Sequence, residues 1–518
     1  MKKACKSIYT KTANFKSEPA LSAGKAGPIK TINFKQIKKI SNFISPLLIF
    51  ISLSLFLTNC TVVESEDQAT ETNFGYETEA VANILNVTCA KSGCHSGSAP
   101  VDGLSTETHT NTINGASRRP YENGVFYSGE VVIPYNAEKS LLMQFVEGKI
   151  ETPTTVNHVG LSDGQLKTLS DWIEDGAKDY RNVPAFDTPG SYRVYVCNSA
   201  SDNISTIDGS KKLVSHLSEV NNSSTFEETP YWVAEYGSYY YVSLSNENKL
   251  LKVRKSDNTI VGSISNIVDA GMVEVNSTGS KVYVSRAYNS TSNYSSIYVI
   301  NTGDMSLKTT ISFPNSGLLH GLALDGGRKF LYVADATNNI IYIIDTVTDQ
   351  LVSARLTLTI DYYPLFVEVS LNGNYLYISA KNTNELLVMD AGNRSLISTV
   401  PLLSNPMGIA VSSFGDKIYI ASNGGDAVDV VTKTGTYWSK TKSISHSTMS
   451  MPFGIDITSD DSYLYVTNQN LDGDFIPAYE VTGEENISTV SIINTSSETV
   501  VKVLEVEEEP HGIVVEKL

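Results

Sequence analysis

Seven short runs, each built round a tyrosine, recur between residues 190 and 518: VYVCNS, YYVSLS, VYVSRA, LYVADA, LYISAK, IYIASN and LYVTNQ. Their tyrosines are Tyr195, Tyr241, Tyr283, Tyr332, Tyr377, Tyr419 and Tyr465, separated by 46, 42, 49, 45, 42 and 46 residues. The intervening sequence is rich in Val, Ile, Ser and Asn with Gly-containing turns, a strand texture. One such unit cannot bury both faces of its own sheet. Seven copies arranged radially can, so the spacing predicts an all-β propeller of seven four-stranded blades.

A second repeat says how the ring closes. Strands of the form WVAEY (from Trp232), MVEVN (Met272), GLALD (Gly321), FVEVS (Phe366), GIAVS (Gly408), GIDIT (Gly454) and GIVVE (Gly512) accompany the tyrosine runs. The first six lie just before a tyrosine strand. The seventh has none after it, and Tyr195 has none before it. The C-terminal strand is therefore expected to complete the first blade, leaving no open sheet edge. The paired G-H and W-D signatures of WD40 repeats are absent. LYVTNQ followed by ENISTVSIINTSSETVVKVLEV resembles the YVTN family of β-propellers, over residues 190–518. Such a resemblance implies a fold and leaves function open.

The N-terminal part is of another kind, and the chain reads as multidomain. Lys35, Lys38 and Lys39 precede about 18 mostly apolar residues that stop at Cys60. With Leu57-Thr58-Asn59-Cys60 in the lipobox place, residues 1–60 resemble a bacterial lipoprotein leader. That resemblance implies lipidation of Cys60, attachment to the membrane through the lipid, and a cell-envelope location on the periplasmic or outer membrane surface. A single membrane-spanning anchor is the alternative, since this length is near the lower limit for crossing ~30 Å of hydrocarbon. Residues 61–74, acidic and poor in large apolar side chains, read as a tether. Ten of the 39 basic residues and one of the 56 acidic ones precede residue 60, so the remainder carries 29 basic against 55 acidic residues, a net of −26. A body this acidic repels nucleic acid.

Residues 75–182 read as a small, mostly helical domain. Ala80, Val81, Ile84, Leu85 and Val87 have helical spacing and lead into CAKSGCH, residues 89–95. A second helix is signalled by Ser162 with Gln165 three residues on, a capping box, then by the apolar Leu166, Leu169, Trp172 and Ile173, with Gly176 placed to end it. Two cysteines in an exported protein can simply form a disulfide. However, Cys89 to His95, Gly103-Leu104, Pro134, Ser140-Leu141-Leu142, Leu161-Ser162, Gln165 and Trp172 to Ala177 together resemble the planctomycete-type cytochrome c domain. Four residues separate Cys89 from Cys94, two more than in C-x-x-C-H. The resemblance implies one covalent haem c, with Cys89 and Cys94 as thioethers and His95 as proximal iron ligand. The family's Met-bearing segment here contains His158 instead, which is expected as the distal ligand; Met143 competes and His109 ranks third. Cys197 is expected to be a buried, inert thiol.

Within the propeller, the residues just before the second repeat are Tyr231, Gly271, His320, Leu365, Met407, Phe453 and His511. These should meet at one mouth of the central channel, with His320 and His511 three blades apart as a candidate site. Three readings follow. The first is an exported, membrane-tethered cytochrome that passes single electrons through one haem to a partner protein, with the propeller as docking or ligand-binding module. The second is a redox enzyme whose propeller binds substrate or a second cofactor. The third is a haem-free surface binding protein.

Overall fold

The computed structural model describes residues 72–115, 119–120, 126–127, 131–150, 160–187, 191–220, 229–286, 295–327, 329–353, 355–477 and 486–517. All of them fall within one compact unit, Glu71–Leu518. Each tyrosine run forms the second strand of a blade, and each member of the second repeat forms the inner strand. The inner strands are Pro510–Val515 for blade one, Pro230–Tyr236 for two, Ala270–Val275 for three, Leu319–Leu324 for four, Pro364–Val369 for five, Pro406–Val411 for six and Pro452–Ile457 for seven. Blade one is closed as expected: Pro510–Val515 pairs antiparallel with Arg193–Asn198, with Ile513 opposite Val196.

The tyrosines recur because of where that register puts them. Each lies opposite the fifth residue of its inner strand, as Tyr283 does opposite Glu274, Tyr377 opposite Glu368 and Tyr465 opposite Asp456. All seven are buried. A tyrosine removes ~150–250 Å² from water, so each such position supplies several kcal/mol of apolar burial.

Two blades depart from the four-strand expectation. The outer strand of blade four is split into Gln350–Leu351 and Leu356–Thr357. Blade seven has six strands, because Phe126–Tyr127 runs parallel beside Thr499–Val506 and Arg119–Pro120 pairs outside it. A hairpin from the N-terminal region thus covers that blade's edge. The same region is fastened by an ion pair between Lys139 and Glu507 at 2.8 Å. Ile133 packs among Val194, Val196 and Val490, and Tyr135 lies against His216 with ring centroids 5.4 Å apart.

The N-terminal region has its own core, in which Tyr76, Val81, Leu85, Met143, Leu169, Trp172 and Ile173 pack together. Its second helix, Asp163–Glu174, carries the expected capping box: Ser162 accepts from the Gln165 backbone, and the Gln165 side chain accepts from the Ser162 backbone. The helix leading to Cys89 is less regular than its sequence suggests. Glu79–Ala82 is α-helical, and Asn83–Cys89 widens into a π-helical turn. Wide turns of this kind are frequent at functional sites.

Candidate functional sites

Cys89 closes the π-helical turn, and the chain then folds back on itself. Cys94 N donates to Lys91 O at 2.9 Å, and His95 N donates to Cys89 O at 3.3 Å. Gly93 between them has φ +80°, a left-handed conformation that costs glycine little and brings Cys94 round. Downstream chain pins the loop: Val101 N donates to Cys94 O, and Thr106 N donates to His95 O. Cys89 is half-buried and Cys94 exposed, and the two thiols are not bridged. Burial, with Cys94 adding slightly, pushes the Cys89 thiol up to about 11. His95 Nδ1 lies 3.2 Å from the Leu104 carbonyl. That contact favours a proton on Nδ1 and so places the ring's lone pair on Nε2, the arrangement in which imidazole ligates a metal.

The other ligand candidates have separate places. His158 and Cys60 lie outside the described residues. Met143 is only 1% exposed and sits in the N-terminal core on the helix Leu141–Val146. His109 is buried, its Nε2 2.7 Å from the Ala177 carbonyl, edge-on to Tyr76 and Trp172. Burial lowers its pKa. Cys197 is buried in the second strand of blade one, and burial raises its thiol pKa. Among the described residues there is no group of three or more His, Cys, Asp or Glu arranged to hold a metal ion.

At the propeller axis, all seven inner strands share one irregularity. The pairing with the second strand slips by one residue at the second inner position, as between Pro230 and Trp232 or between Pro452 and Ile455. A bulge of this kind re-aims a side chain. The residues it affects are Tyr231, Gly271, His320, Leu365, Met407, Phe453 and His511. Hydroxyls on the second strands brace several of the bulges. Thr467 Oγ1 accepts from Gly454 N at 2.8 Å and donates to His511 O in the neighbouring blade at 3.0 Å, and Ser285 Oγ does the same for Met272 N and His320 O.

These side chains fill that end of the channel. Tyr231, His320, Phe366, Phe453 and His511 form a closed circuit of rings with successive centroids 6.1, 4.7, 5.7, 4.8 and 5.0 Å apart. Tyr231 Oη is 2.7 Å from His320 Nε2. His511 Nδ1 is 2.8 Å from Ser199 Oγ, and the Gln469 amide donates to its Nε2 at 3.0 Å. Burial drives His320 down to about 3 and His511 to about 4, against the Leu365 and Glu509 carbonyls that favour the protonated rings. Both histidines are neutral at pH 7 and locked in a plug.

Beyond the plug the same strands line a cavity of about 590 Å³. Trp232, Met272 and Phe366, at the third inner position, bound it on the plugged side. In four blades that position is glycine, because the next blade leaves no room. A Cβ on Gly454 would lie 2.3 Å from the His511 carbonyl oxygen, and one on Gly512 would lie 2.7 Å from Trp232 Cα. Glu274, Glu368 and Asp456, all at the fifth position, line the walls with Glu235 and Lys517. Glu368 Oε1 accepts from Val369 N at 2.9 Å. Burial, then the Asp456 charge, raises Glu368 to about 7. Sequence reading missed these acids, although the third letters of MVEVN, FVEVS and GIDIT carried the signal.

No protein-family model matches the chain. Uncharacterized proteins named YncE from Salmonella typhi and Salmonella typhimurium are 27% identical over 180 residues, 33% of this chain and 48% of theirs. The chain thus spans about half the length of these curated relatives. Among solved structures, a functionally unknown protein from Desulfotomaculum acetoxidans aligns with TM-score 0.51 at 13% identity, covering 63% of this chain and 99% of that one. A protein from Lactobacillus plantarum aligns with TM-score 0.51 at 14% identity, covering 63% and 100%. At such identities the likeness is one of fold, and it supports the seven-bladed propeller.

Proposed function

We propose that the chain is an exported c-type cytochrome, tethered to the cell envelope by a lipid on Cys60. In this reading it carries single electrons to a partner protein through one covalent haem. The observation that carries the reading is the loop 89–95. It presents two unbridged thiols and an imidazole whose Nδ1 is held by the Leu104 carbonyl. The donor set fits the group: Cys89 and Cys94 would hold a haem through thioether bonds to its vinyl groups, and His95 would ligate its iron. When bound, the haem supplies a reversible one-electron couple. The chain's own contribution is to hold the thiols and His95 in one loop, in a region that the Lys139–Glu507 ion pair also joins to the propeller.

The test is a haem-stained denaturing gel with a pyridine-haemochrome spectrum. One haem per chain is expected, lost in Cys94→Ala. Haem retained through denaturation in a Cys89→Ala, Cys94→Ala double variant, or no Soret absorption in the exported wild type, overturns the reading. Near-infrared spectra then decide the distal ligand. His158→Ala is expected to alter the spectrum; a methionine-to-iron band that survives it would assign Met143 instead. Fatty-acid labelling that persists in Cys60→Ala rules out the lipid anchor.

A further inference from the structure

The loop 89–95 is held from outside by one residue. Thr106 is 1% exposed, and each of its polar groups has a partner. Its N donates to His95 O at 3.0 Å, its Oγ1 donates to Leu85 O at 2.9 Å, and its carbonyl accepts from Tyr76 Oη at 2.9 Å. Leu85 lies four residues before Cys89, and His95 directly follows Cys94. Thr106 therefore grips the chain on both sides of the cysteine pair.

The two grips do different things. In the π-helical turn Asn83–Cys89, the Leu85 carbonyl already accepts from Ala90 N at 3.0 Å, five residues on. A carbonyl oxygen has two lone pairs, and the Thr106 hydroxyl takes the second, bracing the wide turn that delivers Cys89. On the other side His95 meets the segment 104–106 at two points, Thr106 N to His95 O and His95 Nδ1 to Leu104 O at 3.2 Å. The ring contact is only as well fixed as the backbone that carries Leu104. Glu107 adds a tie, since its Oε2 accepts from Gly97 N and from Ser105 Oγ, each at 3.2 Å. That tie reaches one side of the cysteine pair, whereas Thr106 is buried and reaches both. Fully buried Tyr76 backs it, with Oη also 2.6 Å from Thr112 Oγ1.

We infer that Thr106 is the positioning residue of this loop, fixing Cys89 and His95 relative to one another and setting the orientation of the His95 ring. The inference rests on the haem reading above, through which its consequence is a redox potential. An imidazole whose other nitrogen is bonded to a carbonyl is a more basic ligand, and a more basic ligand favours oxidised iron.

Thr106→Val keeps the shape and removes the hydroxyl, while Thr106→Ser keeps the hydroxyl. In potentiometric titrations of the haem-loaded full chain, Thr106→Val is expected to have a higher midpoint, with a reduced fraction several-fold larger at the wild-type midpoint. Thr106→Ser is expected to restore the wild-type value. Thr112→Val is the control: it removes a buried hydroxyl bonded to the same tyrosine without touching the loop, so it should lower the melting temperature and leave the midpoint in place. Tyr76→Phe releases the Thr106 carbonyl and keeps the ring; it should move the midpoint the same way, and it supplies the measurement if Thr106→Val does not fold. In the haem-free chain the readout is alkylation of half-buried Cys89 by iodoacetamide relative to exposed Cys94, followed by mass spectrometry. Thr106→Val should raise that ratio about fivefold, as loss of one buried hydrogen bond against local opening implies. Purified protein without haem would overturn the haem reading, and the alkylation ratio then decides Thr106 by itself. A wild-type midpoint in Thr106→Val, an equal shift in Thr112→Val, or an unchanged alkylation ratio overturns the assignment.

Discussion

The two ends of the propeller channel are made by the same seven strands, three residues apart, and one is filled by rings while the other stays open to part-exposed carboxylates. At the second position, His511 has both ring nitrogens bonded, to Ser199 and to Gln469, while His320 has its Nε2 bonded to Tyr231 and its Nδ1 buried with no hydrogen-bond partner among the described residues. At the fifth position, Glu368 has one oxygen bonded and the other facing a cavity. A buried group whose partners are supplied by the fold holds the fold together. One left without a partner is a standing cost.

Acid should have the largest effect on this contrast. His320 and His511 have folded pKa values near 3 and 4, below the unfolded value near 6.5. Their contribution to stability is present above pH 6.5 and is lost as pH falls toward 4, because the unfolded chain then binds more protons. A tenfold change in proton affinity is worth ~1.4 kcal/mol, so the two together destabilise the propeller by on the order of several kcal/mol across that window. Thermal unfolding followed from pH 7 to pH 4 should show this slope. It should be shallower in His320→Phe, which cannot take up a proton; an identical slope would remove the plug from the explanation.

Next in size is the close approach of inner strands. Gly454→Ala places a methyl 2.3 Å from the His511 carbonyl oxygen. Two blades must then part, at a cost of about 3 kcal/mol. Denaturant unfolding should register it. Gly164→Ala, where the added methyl meets nothing within 4 Å, should leave the propeller transition in place.

The smallest effect has the opposite sign. Glu368 has a raised folded pKa, about 7 against an ordinary 4.5. Its contribution is present below pH 4.5 and lost as pH rises through 7. Glu368→Gln should therefore stabilise the protein at pH 8 by about 1–2 kcal/mol, allowing for screening by cavity water, and do little at pH 4.5. Paired melting curves at the two pH values check it. A variant less stable at pH 8 would make Glu368 a structural residue like His511.

The ring of blades was legible because it repeats. One tyrosine opposite the fifth inner residue, read seven times, predicts both the sheets and the closing strand. What repetition hides is local. In six blades the residue before the inner strand is left-handed, with φ between +51° and +55°, but it is Thr229, Asp269, Tyr363, Asn405, Met451 or Glu509. No shared residue type announces that turn. The extra strands on blade seven were also unreadable, since Phe126–Tyr127 pairs with a strand nearly 400 positions away and is too short to carry a pattern. In the N-terminal region the capping box at Ser162 was plain from sequence, whereas the π-helical turn into Cys89 was not, because its apolar spacing is still close to helical. The second repeat's spacing puts Tyr231, His320, Phe453 and His511 at one shared strand position. Their packing into a plug with Phe366 goes with the bulge, which has no signature in single letters.

The closing strand also governs the order in which the molecule can be assembled. Val196 and Ile513, which face each other in blade one, are 317 positions apart. A ribosome making this chain releases the whole second, third and fourth strands of that blade long before their inner neighbour exists. Throughout that interval the blade edge at Arg193–Asn198 is open, and each round of synthesis must keep it from pairing with another growing chain. Premature termination before Pro510 would remove the strand that joins the two sides and, with it, the bond from Arg193 N to Glu516 and the link from Lys517 N to Glu235. Such a product would carry six complete blades and one adhesive edge, so the strand Pro510–Val515 decides whether the chain ends as a single ring or as one link in an aggregate.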